Sequence, residues 1–153
     1  MFIPGNHDPI EIFETKDSQE LIHRANIHKR SLKLADGLVI CGLGGSVQNF
    51  IQVDGKGPLN TCWNPFPYKE ENHSKFNEDL KQLWDITVTD SEDQIVIMTH
   101  EGPFLSSTAK NEQFYNGNTT YFCGSPALKD LMLANHEKIV CNIHGHTHDG
   151  SNY

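Results

Sequence analysis

Positive charge is scarce in this sequence: 12 Lys and Arg stand against 20 Asp and Glu, giving a net charge of −8 over 153 residues. That balance excludes a general affinity for nucleic acid or an anionic membrane, since both reward clustered cations. The nearest basic cluster, His28-Lys29-Arg30 with Lys33, reads as a solvated face. No stretch approaches the roughly 18 to 20 apolar residues that a membrane span requires, so no membrane span is expected. The four cysteines, Cys41, Cys62, Cys123 and Cys141, form no Cys-x-x-Cys pair, which excludes a zinc ribbon. Cys41 and Cys141 fall in apolar runs, where free cysteine behaves as a small buried hydrophobe; reduced thiols and an intracellular, cytoplasmic setting are expected. Gly42-Leu43-Gly44-Gly45-Ser46 lacks both the third glycine of a dinucleotide fingerprint and the Lys-Ser/Thr of a phosphate loop. It reads instead as a strand bending where backbones approach closely. No repeat stands out at solenoid-like periods.

What is present has the length of one domain with a core of its own. Apolar residues make up 37%, near the low end for a globular protein, which suggests a loop-rich chain. Asp17-Ser18-Gln19-Glu20 resembles a capping box and predicts a short helix through Leu21, Ile22 and Ala25, with His23 and His28 as surface histidines. Ser31–Leu34 and Leu38–Leu43 read as a hairpin about the Asp36-Gly37 turn. Phe76, Leu80, Leu83 and Trp84 form one apolar stripe at helical spacing. Ser125-Pro126 gives an N-cap with proline in the first turn, and Leu128, Leu131 and Met132 supply that helix's buried face. His136 near its end favours the helix dipole. Alternating strands and helices of this kind define an α/β class. Two connections stay irregular. The stretch from Val47 to Tyr68 is either a binding loop or a loop pinned by Trp63, Phe66 and Tyr68, and Phe104 to Phe122 is either a rim over the site or disordered.

Chemistry concentrates where apolar runs stop. Ile139-Val140-Cys141-Asn142-Ile143 leads into His144-Gly145-His146-Thr147-His148, a loop with glycines on both sides. If the backbone stays extended there, His146 and His148 share a face and can reach one space. Neutral imidazole is the commonest protein ligand for mid-row divalent ions. The bland alternative is a histidine-rich polar turn. Near the other end, Phe2-Ile3-Pro4 runs into Gly5-Asn6-His7-Asp8, and between them Gln94–Thr99 stops at His100, before Glu101-Gly102-Pro103. Three apolar runs, each ending in a ligand-type residue, match a site at the carboxyl edge of an open α/β sheet.

Gly5-Asn6-His7-Asp8, the strand-terminal His100 and Gly145-His146-Thr147-His148 resemble the last three signatures of the calcineurin-like metallophosphoesterases, in order. The family's Asp-x-His and Gly-Asp-x-x-Asp signatures, which come first, do not occur here. The resemblance therefore implies one domain over residues 1–153 that is the carboxyl-terminal part of the family fold, two packed mixed β-sheets flanked by helices with the amino-terminal part missing. It implies a phosphate-ester substrate and hydrolysis at a dinuclear metal centre through a bridging hydroxide. The two divalent ions would be Mn, Fe or Zn. Asn6, His100 and His146 match ligands of one metal and His148 a ligand of the other. His7 matches the catalytic histidine, and Asp8 the carboxylate that orients it. Without the bridging Asp the chain is expected to hold at most one metal tightly and to turn over substrate poorly or not at all. The alternative is a non-catalytic remnant that binds one metal ion or a protein partner.

Overall fold

The computed structural model describes residues 1–14, 24–48, 50–53, 57–60, 65–70, 72–88, 92–111, 121–122 and 124–147. The helix expected from Asp17, His23, Cys62, Trp63, Cys123 and His148 lie outside them, wholly or in large part.

The fold is α/β, with one four-stranded mixed sheet and three helices among the described residues. Strand β1 (Arg30–Ala35) pairs antiparallel with β2 (Leu38–Leu43) across the Asp36-Gly37 turn, where Gly37 takes φ 74°. A two-residue hairpin loop needs positive φ, and Asp-Gly supplies it at little steric cost. After the short antiparallel pair β3 (Phe50–Val53) and β4 (Gly57–Asn60) comes helix α2 (Ser74–Thr87). It leads to β5 (Gln94–Thr99), which lies parallel to β2. The 3-10 turn Ser107–Ala109 and a two-residue pair, β6 (Lys110–Asn111) with β7 (Tyr121–Phe122), precede helix α3 (Pro126–Ala134). Strand β8 (Ile139–His144) closes the order β1-β2-β5-β8, parallel to β5. A four-residue helix, α1 (Ile10–Phe13), follows the Asn-His-Asp turn; its brevity leaves no periodicity for a sequence reading to find.

Residues in register share a sheet face, so the two faces can be read off the pairings. One carries Val39, Cys41 and Leu43 of β2, Ile95 and Ile97 of β5, and Ile139 of β8. Phe76, Leu80 and Leu83 of α2 and Leu128 of α3 bury that face, with Trp84, Leu131 and Met132 packed at the margin. Both apolar stripes therefore serve as core. Ser125 Oγ accepts the N–H of Leu128 at 3.1 Å, capping α3 at the residue ahead of its first-turn proline.

The opposite face remains partly open. The row Leu32, Ile40, Val96, Cys141 crosses it, and Ile143 lies in the next row beside Met98. Ile40 is buried, whereas Leu32 is 40% and Ile143 49% exposed, and Cys141 is exposed as well. Cys141 thus differs from the buried thiol that its apolar run suggested, because β8 is an edge strand with one face uncovered. Cys41 is buried as expected, and desolvation pushes its thiol pKa up to about 11.

His28 also departs from the surface reading. It forms a bridge with Gly42 rather than a helical turn, is 1% exposed, and its Nδ1 accepts the Gly44 N–H at 2.9 Å. Phe13 packs edge-on against its ring. Lys29 turns the other way, to the buried carboxylate of Asp79, which also takes the Tyr68 hydroxyl at 2.9 Å and Lys75 at 3.1 Å. Tyr68 lies in the core and Phe66 stacks edge-to-face on Phe13, so these two aromatics pin their connection. No helix of the described residues is long and apolar enough to cross a membrane.

Candidate metal centre

Strands β2, β5 and β8 run parallel, so their carboxyl ends fall along one edge of the sheet. His100 follows the last residue of β5 and its N–H bonds to the Leu43 carbonyl at the end of β2. His146 stands two residues beyond β8. The amino-terminal stub reaches the same edge without becoming a strand: Phe2 makes only a bridge to Asn26, and Gly45 N–H bonds to the Pro4 carbonyl at 2.9 Å. Proline at position 4 cannot donate to a ladder, which limits pairing there. Gly44 is required at this crossing, since a Cβ would strike the Pro4 carbonyl and ring. Gly5 lies against the face of His100, where a Cβ would come within 2.9 Å of the imidazole.

Three donor atoms converge as a result. His100 Nε2 is 2.9 Å from Asn6 Oδ1 and 3.2 Å from His146 Nδ1, and the two imidazoles meet edge to face. Neighbouring ligands bonded to one divalent ion at about 2.1 Å stand about 2.9 to 3.4 Å apart in octahedral or tetrahedral geometry. The observed separations fit that spacing. Asn6 and His146 are both buried, at 7% and 6% exposure. The set consists of one amide oxygen and two imidazoles. No group of three or more His, Cys, Asp or Glu suited to a metal occurs among the described residues.

The backbone at His146 differs from an extended continuation of β8. Its φ is 66°, and Thr147 N–H returns to the Gly145 carbonyl at 2.8 Å, closing a three-residue turn around the histidine. Such turns are rare and strained for a residue with a Cβ. The alternation that would have put His146 and His148 on one face stops here. His144, the first histidine of the loop, faces elsewhere: its Nε2 takes a 2.7 Å bond with Thr108 Oγ1.

His7 is exposed on the turn after Asn6. Asp8 Oδ2 accepts the Gly5 N–H at 2.6 Å, and no hydrogen bond joins Asp8 to His7 among the described residues. The carboxylate therefore fixes the turn that presents His7 rather than gripping the imidazole. Sequence reasoning passed over Glu101, which is fully buried behind His146. The only signal was an acid directly after a strand-terminal histidine.

Two strand ends and the amino-terminal stub thus bring an Asn and two His together at the carboxyl edge of an α/β sheet, a donor set that could hold a divalent ion. The family model for calcineurin-like phosphoesterase matches residues 1–150, and the chain belongs to that family. Searches of curated proteins and of solved structures find no match.

Proposed function

We propose that the chain carries the site of a metal-dependent phosphoesterase that works from a dinuclear centre. In this reading Asn6, His100 and His146 hold one ion and His148 contributes to the other. The observation that carries it is the convergence of Asn6 Oδ1, His100 Nε2 and His146 Nδ1 at ligand-like separations. Ions of the Mn, Fe or Zn type suit this donor set. When bound, such a pair polarises phosphoryl oxygens and lowers the pKa of water. The chain's own residues do the rest. His7, exposed beside Asn6, protonates the alkoxide as the ester P–O bond breaks. Asp8 keeps the turn closed through Gly5 and so holds His7 at the edge of the site.

The open sheet face supports the further reading that the complete fold has two packed sheets. Leu32 on β1 and Cys141 and Ile143 on β8 leave apolar side chains exposed on the face that a second sheet would cover.

A second reading is a non-catalytic module that binds one ion. It is supported by the convergence of three neutral donors on one space, which would leave a bound ion's charge uncompensated. Elemental analysis and hydrolysis of an aryl phosphate with added Mn²⁺ separate the two. One tightly bound equivalent with weak turnover that the His7→Ala variant loses is the expected result. One bound equivalent with no turnover favours the module, and no bound metal overturns both readings.

A further inference from the structure

His144 ends β8, just ahead of the turn that carries His146, yet it takes no part in the converging donor set. Its ring is the centre of a directed chain of hydrogen bonds. Nδ1 lies 3.2 Å from the Gly145 carbonyl, which has no proton to give, so Nδ1 carries the hydrogen and donates. The other nitrogen of such a ring is an acceptor, and the Thr108 hydroxyl donates to Nε2 at 2.7 Å. With its proton committed there, Thr108 Oγ1 accepts from the Ser106 hydroxyl at 3.2 Å. Ser106 Oγ in turn accepts the Ala109 N–H at 3.1 Å. Each role in the relay is fixed by the one before it.

The far end of this relay is the turn that bears His146. The Gly145 carbonyl accepts the Thr147 N–H at 2.8 Å as well as His144 Nδ1–H, and the Thr147 bond is the one that closes the turn with His146 at φ 66°. A residue with a Cβ is strained there and keeps that conformation only where its surroundings over-determine it. Gly102 gives the His144 ring its place, since a Cβ at 102 would come within 2.7 Å of the imidazole. Gly102 is itself tied down: its carbonyl accepts the Ser125 N–H at 2.8 Å, and the Phe104 N–H returns to the Ser125 carbonyl at 3.1 Å. One imidazole therefore joins the segment after His100 to the loop that bears His146.

We propose that Thr108 and His144 are positioning residues whose hydrogen bond holds the Gly145 to Thr147 turn and so aims His146 Nδ1 at the space it shares with Asn6 Oδ1 and His100 Nε2. This rests on the reading of Asn6, His100 and His146 as ligands. Outer groups that fix where a ligand stands alter metal affinity without touching the metal. Fastening the 3-10 turn Ser107–Ala109 needs only Ser106 on the Ala109 N–H. That alone does not account for a histidine whose second nitrogen returns to the carbonyl closing the His146 turn. The effect is one of geometry, carried by bonds of 2.7, 3.2 and 2.8 Å.

The test uses the whole chain, by ¹⁵N NMR of the histidine rings without metal at about pH 8 and by titration calorimetry with Zn²⁺ as the probe. Wild-type His144 is expected as the Nδ1–H tautomer. Thr108→Val keeps the shape and loses the hydroxyl; it is expected to shift the His144 Nε2 resonance and to lower Zn²⁺ affinity about tenfold, the lower end of what losing an outer partner costs. Thr108→Ser keeps the hydroxyl and is expected to restore both readouts. A wild-type His144 protonated on Nε2 overturns the proposal. So does Zn²⁺ affinity within about twofold of wild type in folded Thr108→Val, even with a lower melting temperature, because a merely structural bond would give that pattern. If Thr108→Val does not fold, Thr108→Ala takes its place in the titration and the wild-type tautomer still decides. Asn6→Ala and His100→Ala separate the two levels. Zn²⁺ binding that is absent from the wild type, or unchanged in these two variants, ends the ligand reading and this proposal with it. If they weaken binding and Thr108→Val does not, only the role of the relay fails.

Discussion

His100 Nε2 and Asn6 Oδ1 stand 2.9 Å apart across 94 residues of sequence, joined because the stub before Gly5 and the end of β5 both dock beside the end of β2. Removing either group takes away one of three converging donors. Asn6→Ala is expected to cut Zn²⁺ or Mn²⁺ affinity by more than the roughly 10- to 100-fold typical of losing an outer partner. Thermal stability should change little, since the Gly5 to Asp8 turn is held by Asp8 on the Gly5 N–H. Titration calorimetry beside a melting curve checks both. Unchanged affinity in this variant would remove Asn6 from the site.

His28 makes stability depend on pH. Burial, reinforced by the neighbouring Lys29 charge, lowers its pKa to about 4, against an ordinary value near 6.5. Its folded value is the lower one, so the unfolded chain takes up the proton first. The stability that His28 contributes is fully present above about pH 6.5 and is lost as pH falls from there toward about 4. The full effect is about 3 kcal/mol at most. Urea denaturation at pH 7.5 and pH 5 should show the drop, and His28→Gln, which keeps an acceptor for Gly44 N–H, should flatten it. An equal pH slope in wild type and variant would show that other groups are responsible.

These two histidines show why one part of the fold is legible in the sequence and another is not. Gln94–Thr99, the Asp36-Gly37 hairpin, the Phe76 stripe and the Ser125-Pro126 cap each announce themselves through period or local turn chemistry, and each forms where expected. The signature residues Asn6, His100 and His146 come together because two strand ends and the docked amino-terminal stub bring them to one edge. His28 carries no such mark. Its burial depends on pairing with Gly42 and on Phe13 closing over its ring, both tertiary events. Glu101 and Asp79 are acids that a composition reading assigns to the surface, and only their long-range partners, Val47, His146, Lys29 and Tyr68, explain their burial. The turn at His146 is hidden for a further reason: positive φ at a non-glycine residue has no reliable sequence sign.

Asp79 offers a measure of what those hidden contacts contribute. Burial alone would raise its pKa, but hydrogen bonds from Lys29, Tyr68 and Lys75 outweigh it and hold the carboxyl below its ordinary range. Asp79→Ala strands the Tyr68 hydroxyl in the core while the two lysines, both about half exposed, turn to water. A loss of about 2 to 3 kcal/mol is expected by urea denaturation. Tyr68→Phe should cost about 1 kcal/mol, because Asp79 keeps its lysines. A loss in Tyr68→Phe as large as in Asp79→Ala would show that the hydroxyl, not the ion pairs, dominates.

The open sheet face leads to a prediction about surface rather than site. Leu32 is 40% and Ile143 49% exposed, on the face opposite the helices, with Cys141 at the far end of Leu32's row and next to Ile143's row on β8. Exposed apolar surface of this kind binds hydrophobic dyes and promotes association when it forms a contiguous patch. The paired substitution Leu32→Glu with Ile143→Glu should therefore reduce dye fluorescence and any concentration-dependent sedimentation. Neither residue is fully buried, so the cost in stability should be small beside that of a core change. If instead the double variant unfolds the chain, these side chains are covered in solution, and the two-sheet reading would need the cover to come from residues outside those described. Unchanged dye binding in a folded double variant would show that this face is not the apolar surface that a second sheet would use.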